Sequence, residues 1–250
     1  YTPGEPTRAG AELALASLEE AARLAVAAEA DALVTAPISK ARLAEVGFTH
    51  PGQTEFVAVA CSYAPGDAVM MLAGPHLRAV PLTVHIPLSA VPAQLSAPMI
   101  ERKARIVALA LARDFGIERP RIAMAGLNPH AGEEGRMGDE EAAIIAPAIA
   151  HLRSEGLDVS GPHPADALFT ARARETYDVA LCMYHDQALI PLKALDFDQG
   201  VNVTLGLPVI RTSPDHGTAF AIAGTGQADP GAMIAAIRMA GECAARRYGE

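Results

Sequence analysis

The sequence predicts an α/β fold in which short buried strands alternate with amphipathic helices. Apolar runs such as Val179–Met183 have the length and composition of buried parallel strands. Half of the 250 residues are hydrophobic and only 4% are aromatic, with no Trp, a composition suited to helices packed closely on a sheet through Ala. Polar residues able to do chemistry fall repeatedly just after the apolar runs, where open α/β sheets bind ligands.

In chain order, the spacing of Leu and Ala against Glu and Arg predicts a helix over Ala11–Ala30, followed by a short strand at Asp31–Ala36. Ser39 and Lys40 follow that strand, and Ser39 is expected to cap a short helix over Arg42–Val46. Thr49–Phe56 (THPGQTEF) reads as a Gly/Pro turn opening a helix through Cys61, with Thr54 and nearby amides placed to meet an anion. Strands are expected at Ala68–Ala73 and Ala79–Val84, the second ending on His85. After an amphipathic helix at Met99–Phe115, the strand Arg121–Gly126 runs into LNPHAGEEGRMG, a glycine-rich loop carrying Asn128, His130 and Glu133. A helix over Glu140–Glu155 precedes GPHPADALF, which puts Asp166 in a proline-bounded turn. The strand at Val179–Met183 ends on Tyr184, His185 and Asp186; two short strands joined at Gly206 cover Val201–Arg211, and a helix covers Gly231–Tyr248. Two interleaved lobes are compatible with this order, without a readable boundary.

Composition narrows the function. With 20 Lys and Arg against 29 Asp and Glu, the net charge is −9 and no basic run appears, which argues against nucleic acid as a partner. No apolar run approaches the ~18 residues of a membrane span. Cys61, Cys182 and Cys243 lie in apolar or helical contexts without a CxxC pair, so a reduced, cytoplasmic setting is expected.

Three neutral imidazoles at strand ends, His85, His130 and His185, would make a three-ligand metal site with open positions. His216, in SPDHGTA, is a rival ligand; His50, His76, His151 and His163 are less committed. Asp166 and Asp186 suit orienting or acid/base roles near such an ion. Lys193, Asn202 and Arg211 offer a point charge, an amide and a planar fork, a set fitted to phosphate or carboxylate. No GxGxxG follows a strand; AGTGQAD at Ala223–Asp229 departs at the third glycine.

In order, TAPISK, PGQTE, HIPL, GLNPHAGEEG, GPHPAD, MYHDQ, PLK, GVNVTLGLP and IRTSPDHGTA resemble the 4-hydroxythreonine-4-phosphate dehydrogenase family of vitamin B6 (pyridoxal phosphate) biosynthesis. The resemblance runs from about Ala11 to the end. It implies an isocitrate/isopropylmalate dehydrogenase-like fold, with two interleaved α/β lobes around a mixed sheet and a cleft between them. It also implies a homodimer, NAD as cofactor, a divalent metal (zinc, magnesium or cobalt) and a phosphorylated hydroxy-amino acid as substrate. His85, His130 and His185 fall on the family's metal ligands, and His216 does not. Lys193, Asn202 and Arg211 fall on its substrate-binding residues and Thr54 on the threonine of its GHTE motif. Asp166 and Asp186 match its site aspartates, and with Lys193 they form the expected catalytic set. Residues 1–250 are expected to form one catalytic unit that lacks the family's N-terminal GDPAGIGPE-like strand and loop.

The chain departs from the family's pattern at Gln53, where GHTE has histidine, and at Asp198 and Gln199, where Gly and Arg are common. A neutral amide and an added acid are expected to weaken a phosphate field and shift substrate preference. Two alternatives follow: a paralogue oxidising another hydroxy acid, such as a sugar-acid phosphate or a diol carboxylate, or a non-catalytic truncated homologue.

Overall fold

The computed structural model describes residues 2–249, and the chain divides into two compact units. One is built from both ends of the chain, Tyr1–Ala68 with Val201–Glu250, and the other from the middle, Val69–Gly200. Eight strands occur among the described residues: β1 (Ala32–Val34), β2 (Val69–Ala73), β3 (Arg78–Thr83), β4 (Ile122–Ala125), β5 (Val159–His163), β6 (Val179–Tyr184), β7 (Val201–Leu205) and β8 (Ile210–Pro214).

In the first unit the strand order is β1-β8-β7, with β1 parallel and β7 antiparallel to β8. The register pairs Leu33 with Arg211, Thr204 with Arg211 and Asn202 with Ser213. Because side chains alternate along a strand, Asn202, Thr204, Arg211 and Ser213 stand on one face. Thr212 stands on the other, where its hydroxyl donates to the Ala236 carbonyl (2.9 Å) of the helix Gly231–Tyr248.

The helix Arg8–Val26 starts three residues earlier than its apolar spacing indicates, because the Thr7 hydroxyl accepts from Gly10 N (3.1 Å) and caps it. It also stops short of Ala30. Ala28 turns left-handed at φ +56°, and Glu29 N bonds back to Leu24 O, closing the last turn. Its buried Ala22 and Ala25 pack with Leu33, Val57 and Val209. The short helix falls at Lys40–Ala44, with Ser39 in the N-cap position but making no side-chain capping bond, so the capping role expected of Ser39 is not made.

The second unit has the order β2-β3-β6-β4-β5. β2 and β3 form an antiparallel pair, and β3, β6, β4 and β5 are mutually parallel. Small residues on one face of β6, Ala180 and Cys182, share a buried cluster with Ala79 and with Ala188, Leu189 and Leu192 of the helix His185–Asp196. That helix therefore lies close on the strands that precede it, and its first residue is His185.

β5 is the strand that spacing does not reveal. Its sequence, VSGPH, holds two turn formers, and Pro162 has no N–H to give a ladder. As the last strand of its order, β5 needs hydrogen bonds on one side only, and its register to β4 shifts between Ala123 and Ala125.

Candidate functional site

Arg211 is 3% exposed and among the described residues bonds only neutral oxygens. Its Nη2 donates to Thr35 Oγ1 (2.7 Å) and Gln53 Oε1 (2.9 Å), and its Nε donates to Thr35 Oγ1 (3.2 Å). Its Nη1 makes longer contacts to Thr54 Oγ1 (3.4 Å) and Thr204 Oγ1 (3.3 Å). Burial pushes the guanidinium down to about 10, against a smaller opposing effect of the nearby Glu55 carboxylate. A guanidinium held in this way carries a charge that an anion could meet.

Asn202 shares the sheet face with Arg211, one strand over, and its Oδ1 is buried without a hydrogen-bond partner among the described residues. A buried acceptor of this kind is costly unless a donor reaches it. Together the two side chains ask for a ligand that carries an anion and an N–H or O–H.

The second unit brings histidines to the carboxyl ends of adjacent parallel strands. His85 follows β3, His185 follows β6, and His130 lies in the loop after β4; β6 is flanked by β3 and β4. The His85 and His185 rings lie 5.7 Å apart between centroids. His185 Nδ1 bonds Asp186 Oδ1 (2.7 Å), so with Nδ1 as donor the Nε2 lone pair is left for a ligand.

Thr83, Val84, His85, Ile86, Tyr184 and His185 line a cleft of about 230 Å³ together with Asp186. His130 is exposed, with its Nδ1 3.9 Å from Glu133. Among the described residues no group of three or more His, Cys, Asp or Glu side chains is arranged to hold a metal ion. The structure therefore brings together two of the three expected imidazoles and does not draw in His130.

Ties that touch no histidine ring lace these strand ends together. The Thr83 hydroxyl donates to Met183 O (2.8 Å), joining β3 to β6. Buried Gln187 accepts from Met183 N (2.7 Å) and donates to Gly126 O (2.8 Å), joining β6 to β4. Lys103 Nζ donates to Leu82 O (2.6 Å) under the end of β3, and burial pushes its amine down.

The loop bearing His130 is organised by Glu141, 5% exposed. Glu141 Oε1 accepts from Leu127 N (2.7 Å) and Asn128 N (2.8 Å), and Oε2 accepts from Asn128 Nδ2 (3.0 Å). His130, Ala131, Glu133 and Glu134 all take left-handed backbone angles there. Gly132 (φ +81°) admits the carboxylate, since a Cβ would lie 2.7 Å from Glu141 Oε2.

Of the other expected residues, Asp166 is exposed on the short helix Ala165–Leu168 and Lys193 is exposed on the helix His185–Asp196. Gln53 and Thr54 open the helix Gln53–Ala60 and face Arg211. His216 lies in the other unit from the three histidines, exposed and bonded to its neighbour's carbonyl at Gly217. Asp198 and Gln199 are exposed. Spacing does not single out Thr35, Thr83, Gln187 or Glu141. The available signal is their place within TAPISK and HDQ, two residues before HIPL, and eight residues after NPHAGE, as polar side chains beside apolar runs.

Residues 1–240 match the family model described as pyridoxal phosphate biosynthetic protein PdxA. A protein of Erythrobacter litoralis named 4-hydroxythreonine-4-phosphate dehydrogenase is 67% identical over 99% of this chain and 74% of its own length. The crystal structure of a 4-hydroxythreonine-4-phosphate dehydrogenase from Klebsiella pneumoniae is similar at 43% identity and TM-score 0.88, over 98% of this chain and 73% of that one. A terephthalate 1,2-cis-dihydrodiol dehydrogenase from Burkholderia xenovorans is similar at 34% identity and TM-score 0.71, over 96% of this chain and 75% of that one. Isocitrate dehydrogenase from Methylococcus capsulatus, 14% identical with a TM-score of 0.50 over 94% of this chain and 82% of that one, shares the fold alone.

Proposed function

The chain belongs to the family of the pyridoxal phosphate biosynthetic protein PdxA, and from that premise we propose that it oxidises the C3 hydroxyl of 4-phosphohydroxy-L-threonine with NAD as acceptor. The observation that carries this reading is the buried, always-charged fork of Arg211, bonded only to neutral oxygens, beside the partnerless Oδ1 of Asn202. A phosphorylated hydroxy-amino acid supplies an anion for the first and a donor for the second.

On this reading Arg211 and Thr54 bind the anionic end of the substrate, Asn202 accepts from its amine or hydroxyl, and Lys193 adds a point charge. Gln53 binds the substrate indirectly, through the guanidinium it helps to hold. The donor set His85, His130 and His185 fits a divalent ion in kind, being imidazoles from neighbouring strand ends with Asp186 fixing one ring. Such an ion supplies Lewis-acid polarisation of the reacting hydroxyl when bound. Asp186 and Asp166 are the groups positioned in sequence to take the hydroxyl proton.

Oxidation at C3 leaves a ketone beta to the carboxylate. That ketone accepts the electron pair of the breaking bond as CO₂ departs, giving 3-amino-2-oxopropyl phosphate. The enzyme acts as a homodimer in the cytoplasm on this reading, and its three buried free cysteines agree with a reducing compartment. Among the described residues no helix is long and apolar enough to cross a membrane.

The test is NADH production across a panel of phosphorylated and unphosphorylated hydroxy acids. Turnover is expected to be fastest on 4-phosphohydroxy-L-threonine. Preference for an unphosphorylated diol carboxylate would overturn the substrate assignment and favour the chemistry named for the Burkholderia xenovorans relative.

A further inference from the structure

The hydrogen bonds around Arg211 specify which edge of its fork is held and which is offered. Gln53 Nε2 donates to Ala36 O (3.2 Å), which turns Gln53 Oε1 toward Thr35 and Arg211. Thr35 gives its single hydroxyl proton to that Oε1 (3.1 Å). Both Thr35 lone pairs are then free for the two N–H groups it accepts, Nε (3.2 Å) and Nη2 (2.7 Å) of Arg211. Three of the five guanidinium N–H groups are thus committed, Nε–H and one Nη2–H along the edge that Thr35 holds and the second Nη2–H to Gln53. The Nη1 side keeps only the longer contacts at 3.4 and 3.3 Å, one of them to the Thr54 hydroxyl.

We propose that Thr35 is the positioning residue of the anion site: it clamps the Nε and Nη2 edge of Arg211, so that Nη1 and the Thr54 hydroxyl meet the anion. Thr35 itself is 5% exposed and acts through the arginine without touching the ligand. The inference rests on the proposed anion-binding role of Arg211. It deepens that role by fixing the direction of approach.

The test pairs Thr35→Val, which keeps the shape and removes the hydroxyl, with Thr35→Ser, which restores the hydroxyl. Exchange of the Arg211 Nε–H, followed by ¹⁵N-edited NMR on the protein without substrate, is expected to accelerate about tenfold in Thr35→Val and to return in Thr35→Ser. KM for 4-phosphohydroxy-L-threonine is expected to rise about tenfold in Thr35→Val with kcat little changed, because uniform binding is lost, and Thr35→Ser is expected to recover it. Unchanged Nε–H exchange in Thr35→Val overturns the proposal, as does failure of Thr35→Ser to restore protection in a chain with parental circular dichroism. If Thr35→Val does not fold, Thr35→Ser against Thr35→Ala decides on the same two readouts. An inactive parent with the expected exchange pattern would sink the substrate assignment and leave the clamp standing; titration with inorganic phosphate then reads whether Nη1 is the side that responds.

Discussion

In the first unit every partner of Arg211 is a neutral oxygen, contributed by the segment after β1, by β7 and by the first turn of one helix, and these oxygens touch the functional group itself. In the second unit the ties between strand ends run through Thr83, Gln187 and Glu141, and the His185 and His130 rings meet only their sequence neighbours Asp186 and Glu133 among the bonds described. The chemistry of the groups accounts for the contrast. A buried guanidinium carries its charge at all times and must be hydrogen-bonded as the chain folds. A neutral imidazole near the surface carries no such penalty, so the scaffold need only bring its strand end into place.

The largest effect is expected from His130→Ala. Removal of one exposed imidazole is expected to abolish turnover that depends on added divalent ion while changing unfolding free energy by less than about 0.5 kcal/mol, the range for surface substitutions. Turnover assays beside urea unfolding read both effects, and retained metal-dependent turnover would remove His130 from the ligand set.

Arg211→Lys tests the other region. The charge remains but the fork is lost, and KM is expected to rise tenfold or more, with Thr35 and Gln53 left short of a donor. A KM equal to the parent's would show that charge alone is recognised. In the parent, KM is expected to stay flat between pH 7 and pH 9 as far as Arg211 is concerned, because even the lowered value of about 10 leaves the buried guanidinium charged there. The sign follows from burial: the folded value lies below the unfolded one, so any weakening of the charge comes only at pH above that range.

Glu141→Ala should cost stability rather than affinity for the anion. It leaves two part-buried backbone amides without an acceptor, while the Asn128 side-chain amide keeps Glu140 Oε2 (2.7 Å), a loss of about 2–4 kcal/mol at the lower part of ~1–3 kcal/mol per unsatisfied group. Urea unfolding checks this, and Glu141→Gln is expected to lose less. A destabilisation below that of an ordinary surface change would mean that the loop holds itself.

The smallest effect is expected at position 53. A protonated histidine there would carry a charge that Gln53 lacks, but Gln53 Oε1 accepts from Arg211 at 2.9 Å, and a protonated imidazole in that place would face the guanidinium as a like charge. Only the neutral ring fits, and the amide reproduces its acceptor and donor. Gln53→His should therefore leave KM within about threefold at pH 8 and weaken binding as pH falls through ~6.5, the ordinary histidine value. A large gain on phosphorylated substrate at pH 8 would restore the original expectation of a shifted preference.

Much of the architecture was legible because apolar runs and their helical spacing report burial directly. Val179–Met183, Met99–Phe115 and Gly231–Tyr248 fall close to β6 and the helices Ala97–Phe115 and Gly231–Tyr248. β5 escaped because its strand identity comes from a neighbour's hydrogen bonds and not from VSGPH. The histidines were legible as strand-end residues, and Arg211 as a donor of the right shape. Thr35 and Glu141 were not, because their roles lie in partners 176 and 14 residues away, and spacing carries no trace of a bond.

The first unit's origin in both chain ends has a consequence for how the protein is made. Arg211 meets Thr35 and Gln53 across sequence separations of 176 and 158 residues. As the ribosome releases the chain, Gln53, Thr54 and Thr35 wait through the whole of Val69–Gly200, a compact unit whose own internal contacts can form first. Contacts of such long range close late and slowly. On the anion-binding reading of Arg211, recognition of the anion is thus among the last properties that a newly synthesised molecule acquires, and a chain cut short before β8 would retain its histidines without Arg211.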